Sequence, residues 1–201
     1  MPAGSLRGFA ALVAVACALV PAACSDQPDR VRLGDSSESP SVGASASTAG
    51  TRTITAGALT ITLPAATDSA QGSVLTGYQA FWEGLLEASA KGDPVEPTLI
   101  ATTTGAARPF FANYLGTLRV ARRTQSGPVR LRPAVPSIDG PVATVTDCAD
   151  LSGLRVRDSG GRPVRPPDPQ TTQIRVELAS QGAKWLVRSY TEVGRGCRPG
   201  P

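Results

Sequence analysis

The sequence predicts an α+β domain in which N-terminal helices pack on an antiparallel β-sheet, and three observations carry that prediction. Residues 73–91 set Tyr78, Phe81, Trp82, Leu85 and Leu86 at i, i+3, i+4, i+7 and i+8, the apolar stripe of a core-facing helix. After Gly127-Pro128 the hydrophobic period changes to that of strands and stays there. Helical and extended segments are also segregated along the chain, unlike the alternation of an α/β domain.

The elements follow in order. Residues 53–63 (TITAGALTITL) alternate Ile54, Leu59, Ile61 and Leu63 with threonines, which reads as a β-hairpin or one kinked strand with a buried face, ended by Pro64. The opening helix stops before Gly92-Asp93-Pro94, a helix end followed by a turn. Residues 97–104 (PTLIATTT) suit a two-turn helix. A third helix is expected from about Pro109 to Gln125, with Phe110, Phe111, Tyr114, Leu115, Leu118 and Ala121 as its buried stripe. Arg119, Arg122 and Arg123 fall off that stripe and read as a solvated face or an anion-binding patch. Strands are then expected at 129–132, 142–148, 154–157, 172–178 and 184–193, joined by turns at Asp139-Gly140-Pro141, Asp158-Ser159-Gly160-Gly161 and Ser180-Gln181-Gly182, with a Pro-rich loop at 165–169. Such an order of strands implies an antiparallel meander.

Ahead of the domain, residues 1–23 have the make-up of an export signal: Arg7, then the apolar run GFAALVAVACALV from Gly8 to Val20. That run is shorter than the roughly 20 residues a membrane-spanning helix needs. It ends in Pro21-Ala22-Ala23-Cys24-Ser25, which resembles the lipobox of bacterial lipoproteins, with Pro21 where such boxes carry an aliphatic residue. The resemblance implies a diacylated Cys24 as mature N-terminus, held at the outer face of the cell membrane. An ordinary cleaved signal and a secreted protein is the alternative. Residues 24–50 are rich in Ser, Ala, Gly and Pro and lack aromatics, so they read as a flexible linker, and residues 51–201 as the folded domain.

Composition removes several functions. With no histidine among its 201 residues, the chain cannot build Ser-His-Asp or Cys-His nucleophile pairs, HExxH zinc sites or a 2-His-1-carboxylate iron site. No cofactor or metal is expected. The net charge of +4 comes mainly from scattered arginines interspersed with acids, not from a dense basic stripe, so no nucleic-acid partner is expected. With Cys17 removed and Cys24 acylated, Cys148 and Cys197 remain, and in an exported chain two such cysteines read as a disulfide.

Tyr78-x-x-Phe81-Trp82, Gly92-Asp93-Pro94, Thr104-Gly105, Thr146-Asp147-Cys148-x-Asp150, Gly182-Ala183-Lys184-Trp185-Leu186-Val187 and Gly194-x-Gly196-Cys197 stand in an order that resembles the NTF2-like (SnoaL-like) superfamily. More narrowly, the chain resembles the small secreted and lipoprotein members of actinobacteria. The likeness covers about 74–197, and residues 53–63 stand outside the superfamily's minimal fold. It implies a curved sheet, a conical pocket under the helices, and a homodimer through the sheet. Tyr78, Phe81, Trp82, Phe111, Tyr114 and Trp185 are then the candidates to line that core or pocket, for a small apolar ligand or an envelope protein. Superfamily members include isomerases, cyclases and non-catalytic binding domains. An isomerase-like chemistry could be cast only from Asp147, Asp150, Tyr78 and Tyr190, with Asp147 as base and Tyr78 as donor. Spacing shows no matched acid–base pair, so no catalytic residue is assigned and a binding domain is preferred, with an adaptor role in an envelope complex as a further alternative.

Overall fold

In the computed structural model, which describes residues 51–66, 68–134, 136–164 and 171–198, the alternating stretch at the start folds as a hairpin. Its strands are β1 (Arg52–Ala56) and β2 (Leu59–Leu63), joined through Gly57 at φ 56°, where a residue with a Cβ would be strained. The chain divides into two units, 1–45 and 46–201, and the described residues belong to the second. The export signal, Cys24, most of the linker and the Pro-rich loop at 165–169 lie outside the described residues.

The opening helix, α1 (Ser69–Lys91), begins four residues before its expected start, because the Asp68 carboxylate caps it by accepting from the Gln71 N–H at 2.8 Å. It ends as expected at Gly92, in the left-handed conformation at φ 62°. Val74, Tyr78, Phe81, Trp82, Leu85 and Ala88 form its buried face. Gly77 and Gly84 let it lie close to its neighbours: a Cβ at Gly77 would stand 2.4 Å from the Trp185 carbonyl oxygen, and one at Gly84 3.0 Å from the Leu99 backbone.

Two shorter helices follow, α2 (Pro97–Thr102) and α3 (Ala107–Val120). The expected end of the third helix at Gln125 is corrected: the chain leaves the helix after Val120, Arg122 takes a positive φ of 52°, and Thr124–Ser126 is already a strand, β3. Its stripe is corrected too. Phe111, Leu115 and Leu118 are buried, whereas Phe110 is 52 % exposed, Tyr114 36 % exposed, and Ala121 lies at the surface. The core covers only the centre of that stripe and leaves its aromatic edge open.

The remaining strands are β4 (Val129–Leu131), β5 (Ser137–Asp139), β6 (Val142–Ala149), β7 (Arg155–Arg157), β8 (Thr172–Gln181) and β9 (Lys184–Arg195). A single antiparallel meander is not what they form. β5-β6-β8-β9 make the antiparallel sheet, β3 pairs with β7, and β4 runs parallel beside β2. The parallel pair is possible because the three helices lie between β2 and β4 in sequence and return the chain in the same direction. Isolated bridges from Arg130 to Asp150 and from Pro133 to Asp147 tie this smaller sheet to the larger one.

Two register shifts between β8 and β9, at Gln173/Ile174 and Glu177/Leu178, bend the larger sheet. Its inner face presents Val145, Val176 and Tyr190 in register, with Leu178, Ile174 and Val187, toward α1. The opposite face carries the Thr146, Arg175 and Thr191 row, all exposed. Cys148 and Cys197 are joined in a disulfide with Cα atoms 5.8 Å apart, fastening the chain after β9 to the end of β6. No helix among the described residues is long and apolar enough to cross a membrane.

Candidate functional site

The one buried aspartate among the described residues sits at the sixth position of a strand whose alternate residues are buried. The β6 pattern buries Ala143, Val145, Asp147 and Ala149 in alternation, so Asp147 is turned inward by register and is 3 % exposed. There its Oδ2 accepts the Tyr78 hydroxyl at 2.7 Å, and its Oδ1 accepts the backbone N–H of Arg132 at 2.8 Å. Burial pushes the Asp147 carboxyl up to about 6, against the opposing pull of the Tyr78, Arg132 and Cys148 donors. Tyr78, fully buried, is raised well above its ordinary value, by burial first and then by the Asp147 charge. The pair fastens α1 to the sheet through one charge-assisted bond.

Two more polar tips stand near this pair. The Trp82 indole N–H is buried and has no acceptor in hydrogen-bonding geometry among the described residues, yet it pulls the Tyr78 hydroxyl down a little. The Tyr190 hydroxyl is raised by burial, and then by Glu192, Asp147 and Tyr114. Ring contacts bind the group: Trp82 meets Tyr78 and Phe81 edge-on, and Tyr190 lies 6.0 Å from Phe110 in a stacked arrangement and 5.3 Å from Phe111 edge-on.

Above Trp82 and Tyr190 opens a groove of about 170 Å³. Phe110, Phe111, Tyr114 and Tyr190 wall it with Leu85, Leu86, Leu151 and Leu154, while Ser89, Gln125 and Glu192 supply the few polar groups. The Tyr114 hydroxyl donates to Gln125 Oε1, which ties the open edge of α3 to β3. An apolar hollow with a few fixed polar atoms at its rim is the general form of a small-molecule site.

Of the residues singled out in the sequence, Trp82, Phe111 and Tyr114 line this groove. Tyr78 and Phe81 are wholly covered and support it from below. Trp185 sits on β9 against Gly77 of α1, half-buried and packed on the core, and is not among the groove's lining residues. Phe110, expected in the buried stripe of α3, is a wall of the opening beside that helix, as is Leu154. Tyr190, a candidate for proton chemistry by sequence, is a wall of the groove. Asp150 is a turn carboxylate, accepting from Ser152 and pairing with Arg130 at 3.3 Å, and Ser152 foremost holds it below the usual carboxylate range. Arg119 reaches Asp93 at 3.9 Å from an exposed helix end, and Arg122 and Arg123 are exposed beside it. Among the described residues no cluster of three side chains could hold a metal ion.

No family profile matches the chain, and no curated protein matches it in sequence. Solved structures share its chain path in part. One is the intermembrane-space region of the chloroplast protein ARC6, at 10 % identity and a TM-score of 0.44, over 63 % of this chain and 96 % of that one. A putative dehydratase of the NTF2-like family from Streptomyces avermitilis is similar at 16 % identity and a TM-score of 0.40, over 61 % of this chain and 94 % of that one. A protein of unknown function from Mycobacterium tuberculosis is similar at 14 % identity and a TM-score of 0.39, over 60 % and 71 %. At such levels no activity passes from these proteins to this one.

Proposed function

We propose that the chain is a lipid-anchored, extracytoplasmic binding domain of NTF2-like fold that holds a small apolar group and does no chemistry on it. The observation that carries this reading is the groove over Trp82 and Tyr190. Its walls are aromatic, and two of them, Phe110 and Tyr114, are partly open to solvent at 52 % and 36 % exposure. A cavity of about 170 Å³ suits one ring or the end of a chain, not a large polycyclic body. The test is a stoichiometric extra mass on the natively purified protein, lost on denaturation.

An isomerase- or cyclase-like reading has one observation in its favour, the Tyr78–Asp147 bond with its raised carboxyl. Against it stands access. Tyr78 is 0 % and Asp147 3 % exposed, and the tyrosine that would serve as donor to a substrate already donates to the base. An adaptor working through an apolar sheet face finds less support still, since the outward row of Thr146, Arg175 and Thr191 is polar.

The membrane part of the proposal rests on the export signal and on Cys24 at its end. Replacing Cys24 by Ser is expected to move the protein from the membrane fraction to the soluble exported fraction on cell fractionation. Retention of the variant in membranes would overturn the lipid anchor.

A further inference from the structure

A second cavity shares no lining residue with the aromatic groove and has a different character. It is a cleft of about 360 Å³ where the β2 end of the small sheet meets β6 and the C-terminal segment, lined among others by Arg132, Arg198, Thr51, Thr146 and Gln173. We infer that this cleft is an oxyanion site, taking the phosphate group of a small ester or of a lipid headgroup.

Arg119, Arg130, Arg162 and Arg188 each reach a carboxylate, whereas Arg132 and Arg198 have no ion pair among the described residues. The one acid lining the cleft, Asp147, is engaged on its core side, with one oxygen taking the Tyr78 hydroxyl and the other the Arg132 backbone N–H. Two arginines therefore line the cleft with no ion pair among the described residues, and guanidinium is the side chain best matched to a planar pair of phosphate oxygens.

The backbone of Arg132 is fixed at the cleft because its own N–H is bonded to Asp147 at 2.8 Å. Arg198 follows Cys197 directly, and the Cys148–Cys197 bridge holds that end of the chain against β6. Two arginines far apart in sequence are thus brought to one hollow by separate constraints, so less ordering is left for binding to accomplish. Thr51, Thr146 and Gln173 add hydroxyl and amide donors for the remaining phosphate oxygens. The cleft and the aromatic groove are separate, and either site can stand without the other.

The test is calorimetric titration of the full chain in a non-ionic detergent, with inorganic phosphate, with dihexanoyl phosphatidylglycerol, and with zwitterionic dihexanoyl phosphatidylcholine as comparison. Both arginines are exposed, so the double variant Arg132→Gln/Arg198→Gln keeps its fold. Saturable binding of inorganic phosphate, weakened about tenfold or more in the double variant, supports a site for free phosphate esters. Binding of phosphatidylglycerol but of neither phosphate nor phosphatidylcholine, with the same loss, supports the lipid headgroup as its source. Absence of saturable binding to any of the three, or equal affinity in the double variant, would overturn the inference.

Discussion

Replacing Cys148 and Cys197 together by alanine is expected to lower the unfolding free energy by about 4 kcal/mol, the loss that chain entropy assigns to opening a loop of this length. The bridge joins residues 49 apart in sequence, from the end of β6 to the segment beyond β9. Without it, the end of β9 is held chiefly by its ladder to β8, and Gly194, Arg195 and Gly196 are already exposed. The double variant should unfold at a clearly lower urea midpoint, with a somewhat steeper slope because its unfolded chain is no longer cross-linked. The end of β9 should also lose amide protection before the Val145–Val176 centre of the sheet does. An unchanged midpoint would mean that the C-terminal segment is held by its other contacts, such as the Thr171 hydroxyl on the Cys197 carbonyl.

The second large effect belongs to Asp147. Its carboxyl titrates at about 6 in the folded protein, above the ordinary value of 3.8, because burial outweighs three donors. A raised carboxyl means that the native state binds the proton more tightly than the unfolded chain. The corresponding stability is fully present below about pH 4 and is lost as pH rises through about 6. By linkage the loss is about 2–3 kcal/mol by pH 8. Asp147→Asn should remove that dependence while keeping both contacts, since an amide oxygen can accept from Arg132 and the amide NH₂ can donate to the Tyr78 oxygen. In thermal melts between pH 4.5 and 8, the variant should therefore gain on the native protein by about 2–3 kcal/mol as pH rises. Parallel curves would show that the buried carboxylate is better compensated than its surroundings indicate. Tyr78 and Tyr190, the other titratable groups near Asp147, are both raised from their ordinary values and stay protonated throughout this range, so neither masks the result.

How far the sequence could be read depended on the range of each interaction. The stripe from Tyr78 to Leu85 announced α1 because one helix face carries its own periodicity, and Gly92 marked its end through a local backbone requirement. The inward alternation of β6 and β8 was legible for the same reason. The pairing of β2 with β4 was not, since nothing in LTITL or VRL states which strand lies beside it across three helices. The edge of α3 shows the limit most plainly. A helical wheel places Phe110, Phe111 and Tyr114 on one face, but only the position of β9, with Tyr190 stacked on Phe110, decides that one ring is buried and two stay open to solvent. Tyr78 and Asp147 were both visible as unusual residues, yet the bond between them spans 69 positions and carries no sequence signature. The disulfide was accessible by another route, through export and the count of cysteines that remain.

Binding of a small apolar group in the groove over Trp82 and Tyr190 is the central claim, and native mass spectrometry of the natively purified chain addresses it most directly. The account predicts one extra mass per chain, released on denaturation, and its loss in Phe110→Ala, which removes a half-exposed wall without opening the core. A clean apo mass from its own host, or an adduct that persists unchanged in Phe110→Ala, would contradict it.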